Sequence, residues 1–361
     1  MSFHLLTLFF RLGYIFAATP ASPKIKSISK GRKLYNLLAL ILLSVAVVVF
    51  LMHRKFYHGL IHVMVALRLL RDASLWSLNC YFMVVLGIWK YPLWIDLINN
   101  LKSTEYLVQA NGTKNNKAKE TVAFILGNVF VISMITYAQY LWIAPKGFGV
   151  VLKEEVVHFQ VYLKYFYKYL LCVIVHMLVV RYRGVTLLLK TYLNENNGPR
   201  EVPTTLIRKI EYALYVLHKT VNIFNDMFSW PMFFIVVFAT VELIHHMKFM
   251  IYRHEEDVQT LLLNCIRVSA SFISTTILIF LCYSVRQEIT EIASLTCDLR
   301  LFLNNHSDLQ NSNLAELTRF VLRSCPKFTA ADFFAIERST LLNILGKVTT
   351  LLIIIIQFNQ K

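Results

Sequence analysis

Long apolar runs alternate with short polar punctuation along this chain. Seven of the runs approach the about 20 residues that a helix needs to cross a ~30 Å hydrocarbon core. They cover residues 36–52, 75–98, 122–144, 165–180, 228–247, 261–285 and 341–358, with Lys90 and Pro92 interrupting the second and Arg267 the sixth. Between the last two runs, Ile289, Ile292, Leu295, Leu299 and Phe302 recur at intervals of three or four, which predicts a further helix. Beyond the polar stretch 304–313, Leu314, Leu317, Phe320 and Val321 repeat the pattern. Either stripe covers its own bundle or contacts another subunit. The expected architecture is an all-α integral membrane protein with seven transmembrane helices.

Composition agrees: 57% of the 361 residues are hydrophobic, 16% are charged, and the mean hydropathy is +0.54. Soluble domains hold about 45–50% apolar and about 25% charged residues. The net charge of +16 fits membrane orientation better than nucleic-acid binding, because Lys and Arg lie mostly between the apolar runs. With Lys168 counted as interfacial on the outer side, twenty-two Lys and Arg fall on the side of the N-terminus and eleven on the other. The N-terminus is therefore expected in the cytoplasm and, after seven spans, the C-terminus outside. The sequons at Asn111 and Asn305 then face the cytoplasm and stay unmodified. Residues 1–20 imitate a signal peptide but lack a basic start and carry Arg11, so they read as an uncleaved, interfacial segment. Six cysteines show neither C-x-x-C nor metal spacing.

Chemistry-bearing motifs are sparse. No phosphate-binding glycine loop, H-E-x-x-H or G-x-S-x-G occurs, so the chain does not read as an enzyme, and no cofactor is expected. His245 and His246 are adjacent and point apart on a helix, which argues against a metal site. The third, sixth and seventh runs lack D-R-Y, C-W-x-P and N-P-x-x-Y, and no internal repeat of the transporter kind is visible. A seven-helix receptor signalling through G proteins, or a secondary transporter, remains the alternative reading.

The final stretch carries a more specific signal. Thr350, Leu351, five aliphatic residues from Leu352 to Ile356, then Gln357 and Phe358 follow FTAADFFAIERSTLLNILGKVT. This resembles the insect gustatory receptor family, relatives of the insect odorant receptors, whose last span carries T-Y, five hydrophobic residues, then Q-F. Leu351 replaces the tyrosine, and Asp332 stands where the family often has a small residue such as glycine.

The resemblance implies a ligand-gated, non-selective cation channel at the plasma membrane, assembled as a homo- or hetero-tetramer with other gustatory receptors around a central pore lined by the last helix. It implies a ring of Gln357 amides in the pore, with Ile353, Ile356 or Phe358 as an apolar constriction, and Gly346 as a hinge or close-packing point. The bland reading of Gln357 is a marker of the membrane interface. On this view residues 1–35 are a cytoplasmic N-terminal segment, 36–285 the first six helices with the ligand pocket, 286–340 a cytoplasmic helical anchor, and 341–361 the pore helix with a short outer tail. The partners would be a small-molecule tastant, cations and membrane lipids, not nucleic acid, and the site sensory neurons.

The family's pocket lies among the outer halves of the first six spans, which selects Trp76, Asn79, Tyr137, Tyr140, Tyr165, Tyr169, Glu242, His245 and Arg267 as ligand candidates. The aromatic members are equally the residues of interfacial belts. A charge near mid-membrane costs on the order of 2.5–3.5 kcal/mol on insertion scales, so Glu242 and Arg267 are expected to pair with each other, snorkel, or line a wet pocket. Lys90, near the inner end of its span, is expected to snorkel.

Overall fold

A computed structural model describes residues 3–19, 28–53, 62–107, 117–146, 148–195, 204–252, 258–303, 308–323 and 326–359. Ten α-helices occupy the described residues: α1 Phe3–Ile15, α2 Lys30–His53, α3 His62–Cys80, α4 Tyr91–Ser103, α5 Lys117–Lys146, α6 Phe148–Glu195, α7 Thr204–Tyr252, α8 Val258–Leu303, α9 Asp308–Arg323 and α10 Arg338–Asn359. A π-helical segment, Tyr81–Trp89, joins α3 to α4, and a two-stranded hairpin, β1 Thr329–Ala330 and β2 Phe334–Ala335, precedes α10. Among the described residues five helices are long and apolar enough to cross a membrane, and the bent α3–α4 pair adds a sixth. The sequons at Asn111 and Asn305 lie outside the described residues.

Burial ranks the helices. In α6 and α7, 72% and 67% of the candidate span is buried, against 11% in α2 and 17% in α5. The first two form the centre of the bundle; the others expose apolar faces. Leu42, Val45, Leu126 and Val129 are more than half exposed, which only a hydrocarbon solvent makes favourable over such a length.

Several helices outrun the predicted spans. α6 holds 48 residues and α7 holds 49, or about 72 Å each at 1.5 Å per residue, so both project well beyond a bilayer core. The periodic stripe from Ile289 to Phe302 is the continuation of α8, not a separate helix. Hydropathy marks where a helix leaves apolar surroundings; the backbone hydrogen-bond ladder continues past that point.

Near the N-terminus, α1 packs on the bundle: Leu5, Leu6, Phe9, Phe10 and Gly13 line one buried face, while Arg11 on the other side is exposed. Phe9 meets Phe124 edge-on at 4.8 Å between ring centroids and Tyr169 at 5.0 Å, and Phe10 meets Trp94 at 5.4 Å. Aromatic contact of this kind adds about 0.5–1.5 kcal/mol per pair beyond area burial.

The interruption at Lys90 and Pro92 becomes an 80° bend. Pro92 sits in the first turn of α4, where its missing N–H costs nothing. The π-helical segment before it shifts the hydrogen-bond ladder by one residue, and side chains take up its carbonyls. Asn36 Nδ2 of α2 donates to the Met83 carbonyl at 3.0 Å, and Trp94 Nε1 donates to that of Leu86 at 3.3 Å. The Lys90 ammonium donates to the Asp226 carbonyl and to Tyr81 Oη, fastening the bend to α7.

Further along, α6 crosses the turn after α4 at close range. A Cβ on Gly184 would stand 2.4 Å from the Leu107 carbonyl oxygen. One helical turn earlier, buried Arg181 donates to the Leu101 carbonyl at 2.8 and 3.0 Å and to Thr104 Oγ1 at 3.1 Å. A guanidinium thus caps the C-terminal end of α4, where cations are favoured.

The hairpin explains Asp332. Ala331 and Asp332 both take left-handed backbone conformations, with φ of 49° and 60°, and the Phe333 N–H closes the turn on the Ala330 carbonyl. Glycine adopts such angles without a Cβ penalty; Asp332 manages it with its carboxylate accepting from Thr329 Oγ1 at 2.9 Å. α10 then runs unbroken through Gly346, around which nothing lies within 4 Å of a would-be Cβ in this one chain.

Candidate ligand cleft and buried charge cluster

A cleft of about 690 Å³ opens between α1, α5, α6 and α8. That volume falls within the about 300–1,000 Å³ of small-molecule sites. Small residues create it: Ala123 and Gly127 on α5 face Ser269, Ala270 and Ser274 on α8. Aromatic rings from α6 and α1 wall the remainder, and Tyr162 Oη donates to Asn128 Oδ1 at 2.8 Å across the α5–α6 side. A Cβ on Gly127 would sit 3.7 Å from the Tyr169 ring, so any larger side chain there must extend into the cleft or displace that ring.

Of the ligand candidates chosen from sequence, the structure brings Tyr165 and Tyr169 to the cleft. Tyr137 and Tyr140 lie further along α5 and are exposed, at 38% and 66%. Trp76 is exposed and donates to Ser44 Oγ at 3.2 Å, while buried Asn79 turns back on its own helix to the Leu75 carbonyl. Buried His245 packs edge-on against His246, 5.3 Å between centroids.

Beside the cleft lies a cluster that hydropathy hid. Lys164 and Lys168, one turn apart on α6, are 0% and 1% exposed. Lys164 Nζ pairs with Glu242 Oε2 of α7 at 3.4 Å and lies over the Phe238 ring at 4.0 Å. Glu242 is thus bridged to Lys164 rather than to Arg267, whose charge acts on the same carboxylate through space. The Arg267 carbonyl accepts from Tyr165 Oη at 3.4 Å. Lys168 has different partners: its ammonium reaches the Ser271 carbonyl at 3.1 Å, Thr275 Oγ1 at 2.8 Å and Ser274 Oγ at 3.3 Å, all on α8. The readable signal was the pair of lysines four apart within VYLKYFYKYLL.

On α10, Gln357 is exposed and Ile353 is 50% exposed; the side chains of Ile356 and Phe358 lie outside the described residues. No group of three or more His, Cys, Asp or Glu residues with metal-binding proximity occurs among the described residues.

A bundle of several long apolar helices marks a multi-pass membrane protein. A sequence model of the 7tm chemosensory receptor family matches residues 4–361, so the chain belongs to that family. It is a family of receptors rather than enzymes. Among solved structures, the insect olfactory receptor OR5 from Machilis hrabei is similar with a TM-score of 0.57 and 13% identity, over 99% of each chain. The same receptor in complex with eugenol gives a TM-score of 0.60 and 12% identity, over 98% of this chain and 97% of that one. At these identities the likeness is one of fold. No curated protein sequence matches the chain significantly.

Proposed function

We propose that this chain is a gustatory chemoreceptor acting as a ligand-gated, non-selective cation channel in the plasma membrane of sensory neurons. A small-molecule tastant occupies the cleft between α5, α6 and α8 and shifts the population toward an open state. The observation that carries the reading is that cleft, aromatic-walled and ligand-sized, in a chain of the chemosensory family. Eugenol, which occupies the similar olfactory receptor, is a first probe for it.

In the same reading α10 is the seventh span and lines a tetrameric pore. Its 22 residues reach about 33 Å, enough for the hydrocarbon core. Leu342, Leu345 and Ile353 stand 71%, 42% and 50% exposed on one chain, an apolar surface for neighbouring copies or lipid. Gln357 offers a neutral amide to passing cations, so selectivity is loose, and the aliphatic residues beside it close the pore by excluding water.

The test is electrical. In outside-out patches with no guanine nucleotide in the pipette, eugenol or another member of a panel of small aromatics, alkaloids and sugars opens a cation current. Gly127→Phe, which fills the cleft, lowers the response at least tenfold while surface delivery persists. A response that requires guanine nucleotide would favour the G-protein reading. Gln357→Ala shifts reversal potential or unitary conductance at unchanged surface level; an identical current–voltage relation would return Gln357 to the role of interface marker.

A further inference from the structure

The cleft is almost wholly apolar, yet a lysine ammonium stands in its wall. Lys168 is 1% exposed and lines the cleft. Every hydrogen-bond partner it has among the described residues is neutral: one backbone carbonyl and hydroxyls of Ser271, Ser274 and Thr275. The neighbouring carboxylate is already bridged, since Glu242 meets Lys164. Around that single carboxylate stand three cations, Lys164, Lys168 and Arg267. Buried charges are normally paired, because removing an ion from water costs far more than neutral dipoles return. Of these charged groups Lys168 alone lines the cleft, whose body is otherwise apolar and aromatic.

We propose that the cleft takes a small organic acid, with its carboxylate on Lys168 and its apolar body between the α5 and α6 aromatic walls. This rests on the ligand-cleft reading above and names the ligand's chemistry. Ser274 lines the cleft beside the ammonium, accepting from it and donating to the Ser271 carbonyl at 3.0 Å, and the Tyr165 ring stands 5.8 Å from the Lys168 ammonium. Hydrogen bonds between ions are about twice as strong as neutral ones, so the acid is preferred over its uncharged isostere.

The matched probes are 4-phenylbutanoate and 4-phenylbutanamide, equal in shape and differing in charge. Their binding to the full-length protein in phosphatidylcholine nanodiscs is read by thermal stabilisation at neutral pH, independently of any current. The acid is expected to half-saturate at a concentration at least tenfold below the amide. Lys168→Met is expected to abolish that preference while still binding the amide, and Lys168→Arg to keep it. Equal binding of acid and amide to the wild type, or binding of neither, overturns the proposal without reference to any variant. So does an acid preference that survives Lys168→Met. Competition of a few mol% phosphatidic acid against the probe would assign the ammonium to a lipid headgroup and overturn it as well. Acid binding without a ligand-evoked current would leave this assignment standing and count against the channel reading instead.

Discussion

Glu242→Ala removes most of the folded protein, and Lys164→Met in the same chain brings it back. The single change leaves a lysine ammonium that is 0% exposed without its carboxylate, an outcome that costs about 3–5 kcal/mol in comparable buried pairs. Replacing both partners by apolar residues of similar volume removes both desolvation penalties and is often neutral or stabilising. The double variant Lys164→Met/Glu242→Leu is therefore expected to recover most of the thermal midpoint that Glu242→Leu alone loses, short of the wild type because Lys168 and Arg267 then lack the carboxylate, measured on detergent-solubilised protein by fluorescence-detected size exclusion. Arg267→Met, whose guanidinium acts on the same carboxylate through space without bridging it, is expected to couple to Glu242 more weakly than Lys164→Met does. If the Lys164 and Glu242 losses merely add, the bridge holds nothing together.

The second large effect concerns backbone against backbone. Gly184→Ala places a methyl 2.4 Å from the Leu107 carbonyl oxygen and 3.0 Å from its carbon. That turn cannot step aside, because Arg181 on the same helix grips it through Leu101 and Thr104. Overpacking costs about 1–3 kcal/mol where side chains can yield, and the upper end or more is expected here. Gly346→Ala is the internal control: it meets nothing within 4 Å and gains helix propensity, so its monomer stability rises slightly. Thermal midpoints of the two variants should move in opposite directions; equal shifts would contradict the close crossing of α6 over Leu107.

What the sequence made legible follows from which forces are local. Apolar run length is local, so the helical membrane class could be read directly; among the described residues five helices, or six with the bent pair, are long and apolar enough to cross, and the run at 341–358 is not one of them. The break at Lys90 and Pro92 was legible as an interruption, but the π-helical segment before it was not, because Asn36 and Trp94 satisfy its carbonyls from elsewhere in the chain. Lys164 was counted in a loop because its charge truncated the apolar run, although the helix continues through it and Glu242 compensates it from 78 residues away. The cleft was the least legible feature. It is empty space between α5 and α8, and its only local trace is small residues at 123, 127, 269, 270 and 274. Candidates chosen for aromatic character at the helix ends accordingly reached it only through Tyr165 and Tyr169.

The proposed channel requires an odd number of spans with the N-terminus inside, which places the end of α10 outside the cell. A short epitope tag after Lys361 tests this without any ligand. Antibody is applied to intact and then to permeabilised cells, with a cytoplasmic control and surface delivery verified by biotinylation. Staining of intact cells is the predicted result and excludes the topology of a G-protein-coupled receptor. Staining only after permeabilisation would contradict the seven-span arrangement and, with it, the pore assigned to Gln357.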